Sequence, residues 1–147
     1  MTEQENANHP IVGPWRLISF VAEDLKTGAV AYPMGRNANA IVIYSADGFA
    51  ATIFTSEGRE PSAAPQVTDQ EALLLYQSMV AFAGRYNLDG EKLIYHPEIS
   101  WNETWNGTEQ ERYYKIENER LQVKSVPIVS TLTGNHIVFT LTWERAR

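Results

Sequence analysis

The sequence predicts an all-β domain, a single eight-stranded antiparallel up-and-down barrel with one α-helix between the third and fourth strands. Three observations carry this expectation. Short stretches of alternating apolar and polar residues recur at regular spacing, separated by turn signals such as Asp47-Gly48 and Asp89-Gly90. Only one stretch carries helical spacing with a start signal, the run that follows Thr68. At 147 residues the chain is one domain by length, and closing its sheet into a barrel removes the exposed edges that so many strands would otherwise leave.

Residues 1–10 are polar and acidic and read as a flexible N-terminal tail, with 11–147 as the barrel domain. The first strand, 15–21, alternates Trp15, Leu17, Ser19 and Val21 against Arg16, Ile18 and Phe20, so both of its faces are expected to be covered. Tyr32-Pro33-Met34-Gly35 reads as a loop suited to a pocket mouth. Residues 39–45 and 48–55 form a hairpin through Ala46-Asp47-Gly48. Gly58, Pro61 and Pro65 mark 57–67 as a loop. Thr68 with Glu71 makes a capping box for a helix expected over 69–83, whose wide apolar stripe predicts that most of it is covered.

Strands are expected again at 85–88 and 92–100. Pro97 cannot donate to a sheet ladder, so it marks a bulge within the second of these. The last three strands are expected at 108–116, 120–125 and 136–145.

Composition narrows the function. Twelve Lys and Arg against eighteen Asp and Glu give a net charge of -6, and no basic cluster is present, so nucleic acid and anionic membrane are not expected partners. No apolar run approaches a bilayer span, and the first ten residues lack the pattern of a secretion signal, which points to a cytoplasmic protein. With no cysteine there is no disulfide, thiolate metal site or cysteine nucleophile. His9, His96 and His136 lack ligand spacing, so neither a metal nor another cofactor is expected. Phosphate-binding glycine motifs and the Gly-x-Ser-x-Gly of serine hydrolases are also absent.

The most informative stretch is 107–116. Ile116, Tyr114, Arg112 and Gln110 share one strand parity, so if the first two face a core the guanidinium faces it too. A buried cation must meet a carboxylate, water or a ligand. Two readings stay open: Arg112 anchors a ligand, or it pairs with Glu98. His96 and Glu98 lie on the neighbouring strand as candidate acid–base groups, so the candidate catalytic set is His96, Glu98 and Arg112. Tyr44, Tyr76, Tyr86, Trp101, Trp105, Gln110 and Tyr114 are the candidate ligand-binding residues, as a lining of flat rings with polar tips.

Several of these residues also carry a family resemblance. Gly13-x-Trp15-Arg16-Leu17 at the start and Thr142-Trp143-Glu144-Arg145 at the finish resemble the calycins, in which a Gly-x-Trp opens the first strand and a late arginine packs against that tryptophan. More of the chain is similar to the lipocalin-like domain family of stand-alone proteins, through Tyr44-x-x-Asp47-Gly48, Ala83-Gly84-Arg85-Tyr86, His96 and Trp105-x-Gly107-Thr108-x-Gln110-x-Arg112-Tyr113-Tyr114. The resemblance implies a lipocalin-like barrel holding a small molecule, with Trp15, Trp143 and Arg145 at its closed end. Relatives of this architecture include passive carriers and cofactor-free cyclases, isomerases and hydratases. The expected role is therefore binding of a small amphipathic or aromatic metabolite. The alternative is cofactor-independent isomerase, cyclase or hydratase chemistry, with His96 or Glu98 moving a proton and Arg112 stabilising an oxyanion. Fatty-acid carriers hold a carboxylate with an Arg-x-Tyr pair in the last strand, where this chain has Leu141 and Trp143.

Overall fold

The computed structural model describes residues 8–146. The described residues form ten strands: β1 (Gly13–Asp24), β2 (Val30–Ala31), β3 (Asn39–Tyr44), β4 (Phe49–Thr55), β5 (Met79–Asp89), β6 (Lys92–Ser100), β7 (Gln110–Glu117), β8 (Arg120–Ser125), β9 (Ile128–Val129) and β10 (His136–Arg145). The two-residue strands β2 and β9 are short appendages, and the other eight form a closed antiparallel barrel. Closure is made by β1, which pairs with β3 from Gly13↔Tyr44 to Arg16↔Ile41 and with β10 from Trp15↔Arg145 to Asp24↔Ile137. A register shift between Leu17 and Ser19 marks an irregularity in the β1–β10 ladder.

The helix α1 (Asp69–Gln77), the one α-helix among the described residues, lies between β4 and β5, the third and fourth of the eight long strands. Its capping box is formed: the Thr68 side chain accepts from the Glu71 N–H at 3.2 Å, and the Glu71 carboxylate accepts from the Thr68 N–H at 2.8 Å. The helix is shorter and more exposed than the sequence suggests. It stops at Gln77 rather than Ala83, and Leu73, Leu74 and Tyr76 are about half exposed, at 54%, 58% and 47%. Residues 79–83 carry apolar groups compatible with either period. The barrel claims them for β5, where Met79 to Arg85 pair with Thr55 to Phe49 and fill the ladder between β4 and β6.

The bulge expected at Pro97 is present. Ala83 pairs with Ile99 and Gly84 with Pro97, which leaves Glu98 as the extra residue. A Cβ on Gly84 would lie 2.2 Å from the His96 carbonyl oxygen, so glycine is required opposite the bulge.

The closed end is packed around Trp15, Tyr44, Leu93 and Leu121, each 0–1% exposed. The Arg145 guanidinium lies 3.9 Å over the Trp15 ring and donates to the carbonyls of Val12, at 2.8 Å, and Pro10. Ile11 is fully buried and its carbonyl accepts from the Trp15 indole N–H at 2.9 Å. His9 and Pro10 are thus part of the end plug rather than of a free tail; the rest of the expected tail, residues 1–7, lies outside the described residues. The loop at Tyr32–Gly35 is pinned by the Glu57 N–H donating to the Met34 carbonyl at 3.0 Å, and Met34 is tucked into the core. No described helix is long and apolar enough to cross a membrane.

Candidate functional site

Strand parity fixes which side chains meet inside the barrel. The end opposite the plug opens into a cavity of about 570 Å³, within the range of about 300–1,000 Å³ usual for small-molecule sites. Its walls are mostly aromatic and aliphatic: Phe20, Phe54, Phe82, Trp105, Phe139 and Leu141 face it, with Trp143 among the lining residues. Tilted and edge-on ring contacts hold this lining, as in Phe82 against Trp105 at 5.5 Å and Phe20 against Phe139 at 5.6 Å.

Arg112 is the cation in this wall. It pairs across the sheet with Leu93 of β6 and Ser125 of β8. Its Nη1 donates to the Glu111 carbonyl at 2.9 Å and its Nη2 to Gln110 Oε1 at 3.2 Å. Gln110 is held in turn, its amide donating to Thr108 Oγ1 at 2.9 Å, and the Thr108 hydroxyl donates to the Trp105 carbonyl at 2.7 Å. A chain of hydrogen bonds therefore runs from the Trp105 turn, Glu103–Trp105, to the guanidinium and fixes its orientation. Burial lowers the Arg112 pKa, and the neighbouring Tyr95 acts in the opposite sense. Among the described residues no carboxylate lies within ion-pair distance of it: the ion pairs are Lys92–Glu111 at 2.7 Å and Lys115–Glu117 at 3.3 Å.

The expected Arg112–Glu98 pair does not form. Glu98 is exposed at the bulge, and its carboxylate accepts from the Arg85 N–H at 3.1 Å. His96 is on the outer face of β6, with its Nε2 2.8 Å from Asn87 Oδ1 on β5. Neither lines the cavity. The reason is parity: Leu93, Tyr95 and Pro97 point inward and are buried, so His96 points out, and the bulge leaves Glu98 outside as well. The acid–base route expected through His96 or Glu98 therefore does not reach the cavity, whose lining carboxylates are instead Glu109 and Glu111.

The other candidates separate by level. Trp105 and Gln110 line the cavity, and Trp101 packs edge-on against Trp105 at 4.9 Å without lining it. Tyr44 and Tyr86 belong to the buried closed end, where the Tyr86 hydroxyl donates to the Ser45 carbonyl at 2.9 Å. Tyr114 is covered by His9 at a ring separation of 6.1 Å, and Tyr76 stands exposed on α1. Tyr95, absent from the candidate set, does line the cavity, and its hydroxyl is hydrogen-bonded to that of Tyr44. Its signal was available as the inward partner of Leu93, one residue before the more conspicuous His96. Ser125 also lines the wall, its Oγ accepting from the Phe139 N–H at 2.9 Å. No cluster of metal-ligating side chains occurs among the described residues.

A family model described as a lipocalin-like domain matches residues 12–146, nearly the whole chain. The chain belongs to the lipocalin-like domain family. No curated protein and no solved structure matches it significantly. The lipocalin-like barrel is generally a small-molecule binder, and the aromatic cavity of this member has the size and lining for that role.

Proposed function

We propose that the barrel binds a small amphipathic metabolite with a flat aromatic or conjugated body, and that Arg112 holds its one negatively charged or strongly accepting oxygen group. The observation that carries this reading is the guanidinium without an ion pair. Arg112 faces a mostly apolar cavity, and although Glu109 and Glu111 also line it, no carboxylate of the described residues lies within ion-pair distance of Arg112. Glu111 is paired with Lys92, and the Arg112 orientation is set by Gln110. A cation in such surroundings costs stability unless an anion joins it, so the apo barrel favours a ligand that supplies one. The ring-lined walls supply the apolar contact area.

The test compares 2-naphthoate with its uncharged carboxamide by calorimetry and thermal shift. Wild type is expected to bind the naphthoate at least tenfold more tightly, and Arg112→Met to lose that preference while still binding the carboxamide. Equal binding of the two probes by wild type, or an unchanged preference in Arg112→Met, overturns the reading.

A further inference from the structure

A second donor stands beside Arg112, and its direction follows from counting protons. Tyr44 is 1% exposed, does not line the cavity, and its hydroxyl meets the Tyr95 hydroxyl. One proton lies in that contact. If Tyr95 supplied it, the Tyr44 proton would be left in packed core with no acceptor, an arrangement that native interiors avoid. Tyr44 therefore donates to Tyr95, and the Tyr95 proton is left to point at a group in the cavity that Tyr95 lines.

Tyr95 pairs directly with Gln110 and Leu93 with Arg112, so Tyr95 and Arg112 are diagonal neighbours on one inner face, within reach of each other's long side chains. The Arg112 cation is felt at the Tyr95 hydroxyl, where it favours negative charge.

We propose that Tyr95, aligned by Tyr44, and Arg112 form a two-donor clamp for a single oxygen, and that the ligand is a phenol or enol bound as its anion. This deepens the function proposed above and rests on it. An arginine has no acceptor atoms, and the Tyr95 oxygen is occupied by Tyr44, so the clamp offers donors alone. Fixed donors in an apolar site stabilise negative charge far more than water does. A carboxylate spreads its charge over two oxygens and suits the two-pronged face of arginine. A phenolate or enolate concentrates charge at one oxygen, where one guanidinium N–H and one tyrosine O–H from adjacent strands can meet. Phe54, Phe82 and Trp105 provide surfaces for the conjugated ring that such an anion carries. Burial pushes Tyr95 up to about 12, so its hydroxyl stays a donor at any working pH.

The neutral ligand's O–H bond breaks, both electrons stay on the oxygen, and the proton leaves to bulk water, into which the cavity opens past Glu109 and Glu111.

The experiment uses 4-nitrophenol, whose neutral and anionic forms absorb at different wavelengths, titrated with pH in the presence of saturating protein. Wild type is expected to lower the apparent pKa of the bound probe by about one unit, a tenfold preference for the anion. Tyr95→Phe is expected to weaken 4-nitrophenolate binding about tenfold and 4-nitroanisole binding less than twofold. Tyr44→Phe should give a smaller loss, because the Tyr95 proton remains but its direction is no longer set. A bound probe that keeps its solution pKa in wild type overturns the clamp whether or not the variants fold. Tyr95→Phe binding 4-nitrophenolate as well as wild type also overturns it, and if naphthoate binding still depends on Arg112 the wider reading survives. If wild type binds neither 4-nitrophenolate nor 2-naphthoate, both readings fall together.

Discussion

A guanidinium that faces a mostly apolar cavity with no carboxylate of the described residues in ion-pair distance is a strained choice for stability and a useful one for recognition. Replacing Arg112 by methionine keeps most of the volume and removes the charge that burial disfavours. Arg112→Met is therefore expected to raise the apo protein's stability by about 1 kcal/mol, or about 3 °C in Tm for a chain of this size, while the stabilisation by 2-naphthoate disappears. A thermal-shift series with and without the probe checks both halves, and a destabilised apo variant would show that the guanidinium holds the wall together instead. At this scale the sequence was legible where one parity sufficed. Arg112 and Gln110 face inward as their register with Tyr114 and Ile116 requires. It misled where chemistry drew the eye past geometry: His96 and Glu98 are the reactive groups of β6, yet the inward residue between Leu93 and Pro97 is Tyr95. A pattern of residue types cannot reveal that a proline bulge leaves Glu98 unpaired on the outer face.

Among the elements, the stretch before β1 is the one whose role a polar composition concealed. The Ile11 N–H donates to His9 Nδ1 at 3.1 Å, and the His9 ring covers Tyr114, whose hydroxyl lies 3.4 Å from Nε2. Burial lowers the His9 pKa below its ordinary 6.5. Above pH 6.5 the ring is neutral in folded and unfolded chains alike, and the plug contributes in full. As pH falls from 6.5 through the lower folded value, the unfolded chain takes up the proton first. Protonation of Nδ1 also removes the acceptor for Ile11, so stability drops. His9→Asn keeps an acceptor without the titration, and its urea midpoint is expected to change less than that of wild type between pH 7.5 and pH 5. Equal changes in the two proteins would show that His9 takes no part in the acid response. The helix teaches the converse. Its start was readable because a capping box is local, at Thr68 and Glu71, whereas its end was not, because the pairing of Met79–Arg85 with β4 is a long-range contact that overrides helical spacing.

For the whole molecule, the barrel separates what holds it shut from what binds. Arg145 joins the last strand to the segment before the first: it caps the Trp15 ring and takes the carbonyls of Val12 and Pro10, all at the plugged end. Arg112, Tyr95 and Gln110 line the cavity beyond the Trp15, Tyr44 and Leu121 core. Closure of the sheet through β1 and β10 was legible because both ends of the chain carry its signature, Gly13-x-Trp15 and Arg145, whereas the cavity depends on side chains from many strands whose mutual register no single stretch encodes. Arg145→Ala removes two hydrogen bonds and one cation–π contact and is expected to cost about 2 kcal/mol. The affinity of the folded fraction for 2-naphthoate should stay within twofold of wild type, because no atom of Arg145 lines the cavity. Arg112→Met is expected to do the reverse, losing the anion preference without losing stability. Urea midpoints and probe titrations on the two variants, with the double variant as a check on additivity, separate these effects. If Arg145→Ala weakens binding in proportion to its loss of stability, the plugged end and the cavity form one coupled unit, and the division of labour between the two ends of the barrel fails.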